Sequence, residues 1–86
     1  MSAKPTGDPG KLARAVSAEI RAELARQRIS GMKLAEMMGR SQNYLAKRLR
    51  DEIPLSLNDV EDIGSALHLP AGSLVARASE SIRGLR

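Results

Sequence analysis

Leu12, Val16, Ile20 and Leu24 recur every fourth residue, while Arg14, Glu19, Arg21, Glu23, Arg26 and Arg28 fall on the other faces. That period is the stripe of an amphipathic helix, and it sets a first element running from about Lys11 to about Arg28. The material left for a core points the same way. Twelve of the 36 apolar residues are alanine, leaving 11 Leu, 5 Ile, 3 Val, 4 Met and Tyr44, a set that suits helices better than sheets. For 86 residues the expectation is one all-α domain, a compact bundle of about five short helices.

Start and stop signals divide the rest of the chain. Ser30 can cap a second helix carrying Leu34, Ala35 and Met38, Gly39 suits the left-handed position that closes it, and Ser41 can cap a third at once. The third helix places Leu45 and Leu49 on one face and runs to about Asp51, before Pro54 stops it. Ser56 with Asp59 resembles a capping box and opens a fourth helix with a core face of Leu57, Val60, Ile63 and Leu67. Pro70 is tolerated in a first turn, so a short fifth helix through Leu74 and Val75 follows. Met32, Met37 and Met38 are read as core filler, and His68 as a solvated helix-end residue. Pro5, Gly7, Pro9 and Gly10 make residues 1–10 a flexible arm, which leaves a core domain at 11–76 and a tail at 77–86.

Several classes of function lack material. With no cysteine and only His68, neither a Cys/His metal site nor thiol or Ser-His-Asp chemistry can be assembled, and no acid-base constellation marks an enzyme. No metal, cofactor or small-molecule ligand is inferred. No apolar run approaches the roughly 20 residues of a membrane span, and no signal peptide is visible, so a cytoplasmic location without membrane association is expected.

The net charge of +4 is unevenly placed. Arg40, Lys47, Arg48 and Arg50 follow one another without an acid, whereas Asp51, Glu52, Asp59, Glu61 and Asp62 follow without a base. Such a change of sign suggests one face that meets a polyanion and another that looks away.

Two short helices joined by a tight glycine turn are the helix-turn-helix unit, whose second helix enters the major groove of DNA. The run L-A-E-M-M-G-R-S-Q-N-Y-L-A-K-R-L, followed by P-L-S-L-N-D-V-E-D-I-G-S-A-L-H-L-P, resembles the Xre-type group that includes the lambda repressor and Cro. The similarity extends over about Val16 to Val75, and the K-R-L ending with the alanine and arginine bias is closest to small regulators of actinobacteria and their phages or prophages. The resemblance implies that Gln42, first in the recognition helix, reads adenine, and a carboxamide can indeed pair bidentately with adenine N6 and N7. Gly31 departs from the pattern, since many relatives carry there a glutamine that binds phosphate and braces the first recognition residue.

Helical geometry sorts the other side chains. With Leu45 and Leu49 inward, a step of about 100° per residue puts Asn43, Lys47 and Arg50 on the outward arc with Gln42 at its rim. Gln42, Asn43 and Lys47 are the candidates for base edges. Lys33, Arg40, Ser41, Tyr44, Arg48 and Arg50 are the candidates for phosphate contacts, with Tyr44 also open to a packing role.

The function expected is a sequence-specific regulator of transcription, a repressor that occupies double-stranded operator DNA through residues 42–50. A DNA-binding accessory factor of excision or antitoxin type, or a protein-interaction module on the same fold, stands as the alternative. One recognition helix covers half a site, so a homodimer is expected. Val75, Ala78, Ile82 and Leu85 recur at the spacing of a short coiled-coil seam and are the candidate dimer residues.

Overall fold

A computed structural model of the chain describes residues 8–84 and shows five helices and, among those residues, no strand. They are α1 (Lys11–Gln27), α2 (Gly31–Met38), α3 (Gln42–Leu49), α4 (Leu57–Leu67) and α5 (Ala71–Arg83). The serine caps form as their positions require. Ser30 Oγ accepts from the Lys33 amide, Ser41 Oγ from the Tyr44 amide, and Ser56 exchanges two bonds with Asp59 in a reciprocal capping box. α2 closes on Gly39 at φ 68°, but α1 and α4 close on Arg28 and His68 in the same left-handed region, at φ 58° and 62°. His68 is exposed there.

The core gathers one stripe from each helix: Val16, Ile20 and Leu24; Leu34 and Ala35; Leu45 and Leu49; Val60, Ile63 and Leu67; Leu74 and Ala78. α5 lies along α1, α2 and α3 form a corner, and α4 packs against both α2 and α5. Glu23 is buried between α1 and α5, where it accepts from Gln27 Nε2 (2.9 Å) and Arg26 Nε (2.9 Å) and pairs with Arg77 (3.4 Å). Those donors, led by Gln27 and Arg26, hold its carboxyl below the ordinary carboxylate range against the cost of burial.

Several expectations are corrected. Leu57, placed on the core face of α4, is 80% exposed, because it is the first helical residue and points past the edge of the bundle. Leu12 is 44% exposed for the corresponding reason at the start of α1, and the two leucines border an apolar groove that Val75 also lines. Met32 and Met37 are exposed, and of the three methionines on α2 only Met38 packs against the core. α3 stops at Leu49, with Arg50 as its cap and Asp51 at φ 64°. Pro70 precedes the first residue of α5 and serves as its N-cap.

The largest correction concerns the C-terminal part. α5 does not end near Val75; it is 13 residues long and runs to Arg83, passing the expected boundary at residue 76 without a break. Ala78 is completely buried in its own domain, so it cannot also face a partner; Val75 is half-buried and Ile82 is exposed. Leu85 lies outside the described residues, as does most of the N-terminal arm; within its last residues Pro9 is buried and its carbonyl accepts from Arg14 Nε.

Candidate nucleic-acid interface

α2 and α3 meet through Gly39, Arg40 and Ser41, a three-residue turn in which the Gly39 amide bonds to Glu36 O (3.1 Å) and the Arg40 amide to Ala35 O (2.9 Å). This is the arrangement of a Schellman closure, in which the left-handed residue lets the chain satisfy the last carbonyls before turning away. Ser41 then starts the next helix at once.

Two attachments fix α3 against the bundle. Leu45 and Leu49 are 1% and 8% exposed and form its inner edge. At its far end the Leu49 carbonyl, which no further helical turn satisfies, accepts from the Ser17 hydroxyl (3.2 Å) and from the Arg21 guanidinium, both on α1. Arg21 also lies 3.7 Å from Asp51. A cation at this helix end opposes the negative pole of the dipole. Ser17 and Arg21 were not among the candidates from sequence, since nothing within the first helix signals a contact 28 to 32 residues away.

The outward arc carries Gln42 and Asn43, both exposed, and Lys47, half-buried. Among the described residues no hydrogen bond or ion pair engages the side chains of these three. Beside Gln42, between the start of α2 and Ala46, lies an open cleft of about 270 Å³. Gly31 borders it and offers Gln42 no side chain, and a Cβ added there would meet no other atom within 4 Å. Gln42 is therefore unbraced on that flank.

The six candidates for phosphate contacts divide. Lys33, Arg40 and Arg50 are exposed, each beside one carboxylate: Glu36 (3.4 Å), Asp62 (3.6 Å) and Glu52 (2.8 Å). The hydrogen bond from Arg50 holds the Glu52 carboxyl below its ordinary range. Ser41 is exposed but already accepts the capping bond. Arg48 departs from the expectation, and Tyr44 takes the packing role also open to it, because their polar ends turn inward to α4. The Tyr44 hydroxyl donates to Asp59 Oδ1 (2.6 Å); Arg48 stacks 3.6 Å from the centre of the Tyr44 ring, and its Nη1 donates to the Tyr44 carbonyl (2.9 Å). Arg48 Nε sits 3.3 Å from Asp59 Oδ2, an ion pair by distance without the angle of a hydrogen bond.

Asp59 is 2% exposed. Burial opposes its ionisation, but the hydrogen bonds from Tyr44 and Ser56 and the nearby Arg48 outweigh it and hold the carboxyl below the ordinary value of 3.8. Tyr44 is shifted up in turn, first by its bond to Asp59 and then by burial. The acidic stretch from Asp51 to Asp62 thus does not form a separate face. Four of its five acids fold back against Arg21, Arg50, Arg48 and Arg40.

Among the described residues no helix is long and apolar enough to cross a membrane, and no three His, Cys, Asp or Glu side chains gather as a metal site. No protein-family model matches the chain, and neither does any curated protein. Solved structures do match. The clp gene regulator ClgR from Corynebacterium glutamicum superimposes at a TM-score of 0.78 with 23% identity, over 92% of this chain and 81% of that one. A second structure of ClgR gives 0.74 and 24%, over 81% and 91%. A hypothetical transcription factor, NHTF from Neisseria, gives 0.73 and 20% over 94% and 95%. The chain therefore has the all-α helix-turn-helix fold found in these regulators.

Proposed function

We propose that the protein is a sequence-specific DNA-binding regulator of transcription, a repressor that lays α3 in the major groove of an operator. The observation that carries this reading is the outward arc of α3. Gln42, Asn43 and Lys47 present donors and acceptors that no hydrogen bond or ion pair among the described residues uses, on a helix anchored through Leu45 and Leu49 and through Tyr44 and Arg48. Gln42 can pair with adenine N6 and N7, and Asn43 and Lys47 reach neighbouring base edges. Lys33, Arg40 and Arg50, with the positive pole at the start of α3, grip phosphates by exchanging a carboxylate partner for DNA. The named neighbours of this fold are regulators of transcription, which supports the same reading.

Two half-sites one helical turn apart call for a homodimer. Its surface is drawn from the apolar residues that the fold leaves open on and beside α5: Val75, Ile82, Leu12 and Leu57. The protein then acts on DNA in the cytoplasm.

Selection of bound sequences from a random duplex pool tests the reading. It should return one preferred site with two-fold symmetry, bound with a log-log salt slope near −0.9 per phosphate neutralised. Recovery of no preferred sequence, or a slope near zero, refutes it.

A further inference from the structure

α3 is only eight residues long, and its inner edge is a single line, Leu45 and Leu49, four positions apart. A helix held along one line can roll about it. A second line of attachment, about 100° around the axis, would stop the roll. Tyr44 and Arg48 lie on that second line, one residue before each leucine, and both are fastened to Asp59 of α4. Asp59 is itself buried and accepts a hydrogen bond from the Ser56 amide (2.9 Å) within its capping box.

We infer that Tyr44 and Asp59 are positioning residues for DNA reading, which fix the rotation of α3 so that Gln42, Asn43 and Lys47 meet base edges, and that Arg48 belongs to this attachment and not to the phosphate-gripping set. The inference rests on the DNA-binding reading and deepens it. A roll of about 20° carries an atom at a radius of about 6 Å through about 2 Å. Hydrogen bonds to base edges span only about 2.7–3.2 Å, so such a shift breaks a bidentate pair. Contacts to phosphate tolerate it, because flexible cations follow the backbone and carry no sequence information.

Arg48 fits this role and not the other. Its side chain is 17% exposed, its charge faces the Asp59 carboxylate, and its plane covers the Tyr44 ring. Arg40 approaches that ring too, at 4.7 Å, but is 38% exposed and only loosely paired with Asp62. Of the two arginines beside Tyr44, Arg40 is the one free to meet DNA.

The test uses the full chain, the selected site and a random-sequence duplex. Tyr44→Phe keeps the ring and the stacked guanidinium and removes only the bond to Asp59. It should weaken the selected site about 5- to 100-fold while binding to random duplex and the salt slope stay as in the parent. Arg48→Gln should lower preference for the selected site and leave the salt slope unchanged, whereas loss of a phosphate contact would reduce its magnitude by about one. An unchanged ratio of selected to random binding in Tyr44→Phe, an equal loss on both duplexes, or a reduced slope in Arg48→Gln overturns the inference. If Tyr44→Phe melts below the assay temperature, the slope of Arg48→Gln decides alone. A parent protein with no preferred sequence overturns the DNA-reading function itself, an outcome distinct from a preference that Tyr44→Phe leaves untouched.

Discussion

Gly64 lies in the last turn of α4, against the segment by which the chain passes from that helix into α5. A methyl group at this position would stand 2.5 Å from the carbonyl oxygen of Leu69 and 3.3 Å from the amide nitrogen of Ala71. Both are backbone atoms, and the corner is tied from the other side as well, since the Leu69 amide bonds to Gly64 O at 2.8 Å. Two effects compete in Gly64→Ala. Helix propensity favours alanine by about 1 kcal/mol. Against it, carbon and oxygen normally approach no closer than about 3.3 Å, so α4 and α5 must part by most of an ångström, and overpacking of this kind costs about 1–3 kcal/mol. With backbone on both sides the upper part of that range applies, and the net is a loss of about 1–2 kcal/mol. For a domain of this size each kcal/mol moves Tm by about 4–8 °C, so the variant should melt about 5–15 °C lower. Gly72→Ala is the control, for it too is helical but has nothing within 4 Å of the added carbon. It should be neutral or gain up to about 1 kcal/mol. Thermal and urea melts of both variants decide the matter, and a Gly64→Ala protein as stable as its parent would refute the close approach of α4 to the start of α5.

Leu45→Ala should cost about 2–5 kcal/mol, since the side chain is 1% exposed and sits at the centre of the core. Near-native melting would show that α3 faces the bundle with a different edge. Ser17→Ala should cost about 0.5–1.5 kcal/mol, because a fully buried hydroxyl loses its bond to Leu49 O while Arg21 still serves that carbonyl; an unchanged urea midpoint would exclude the bond. Asp59 and Glu23 both have folded-state carboxyls held below their ordinary values of 3.8 and 4.5. Their contribution is therefore fully present above those values and is lost as pH falls through the lower folded-state ones. Urea midpoints measured from neutral pH downward should fall in that acid window, and Asp59→Asn, less stable at neutral pH, should show a shallower fall. An acid limb as steep in Asp59→Asn as in the parent would remove Asp59 as its source.

How much of this protein can be read from its residues follows from how far each signal reaches along the chain. The caps at Ser30, Ser41 and Ser56, the closure at Gly39 and the inward pair Leu45 and Leu49 are all legible, because each depends on partners within four residues. The same locality identifies the outward arc of Gln42, Asn43 and Lys47, once the inward pair is known. Helical period assigns a direction to a side chain, but not what stands in that direction. For Leu57 and Leu12 it points at the core stripe from a helix end that projects beyond the bundle, and for Met32 and Met37 apolar character alone suggests burial on a two-turn helix with room for few inward residues. Ala78 has the spacing of a seam with another chain, yet α5 lies along α1 and its small side chain is consumed in that contact. Tyr44 and Arg48 carry the chemistry of phosphate ligands and are claimed by Asp59, 15 and 11 positions away, whose own sequence context announces only a capping box. Local hydrogen bonding and side-chain period act within one or two helical turns and are written in consecutive residues. Which polar groups remain free for a ligand is decided only when helices meet, because a buried carboxylate recruits whatever donors the packing brings to it.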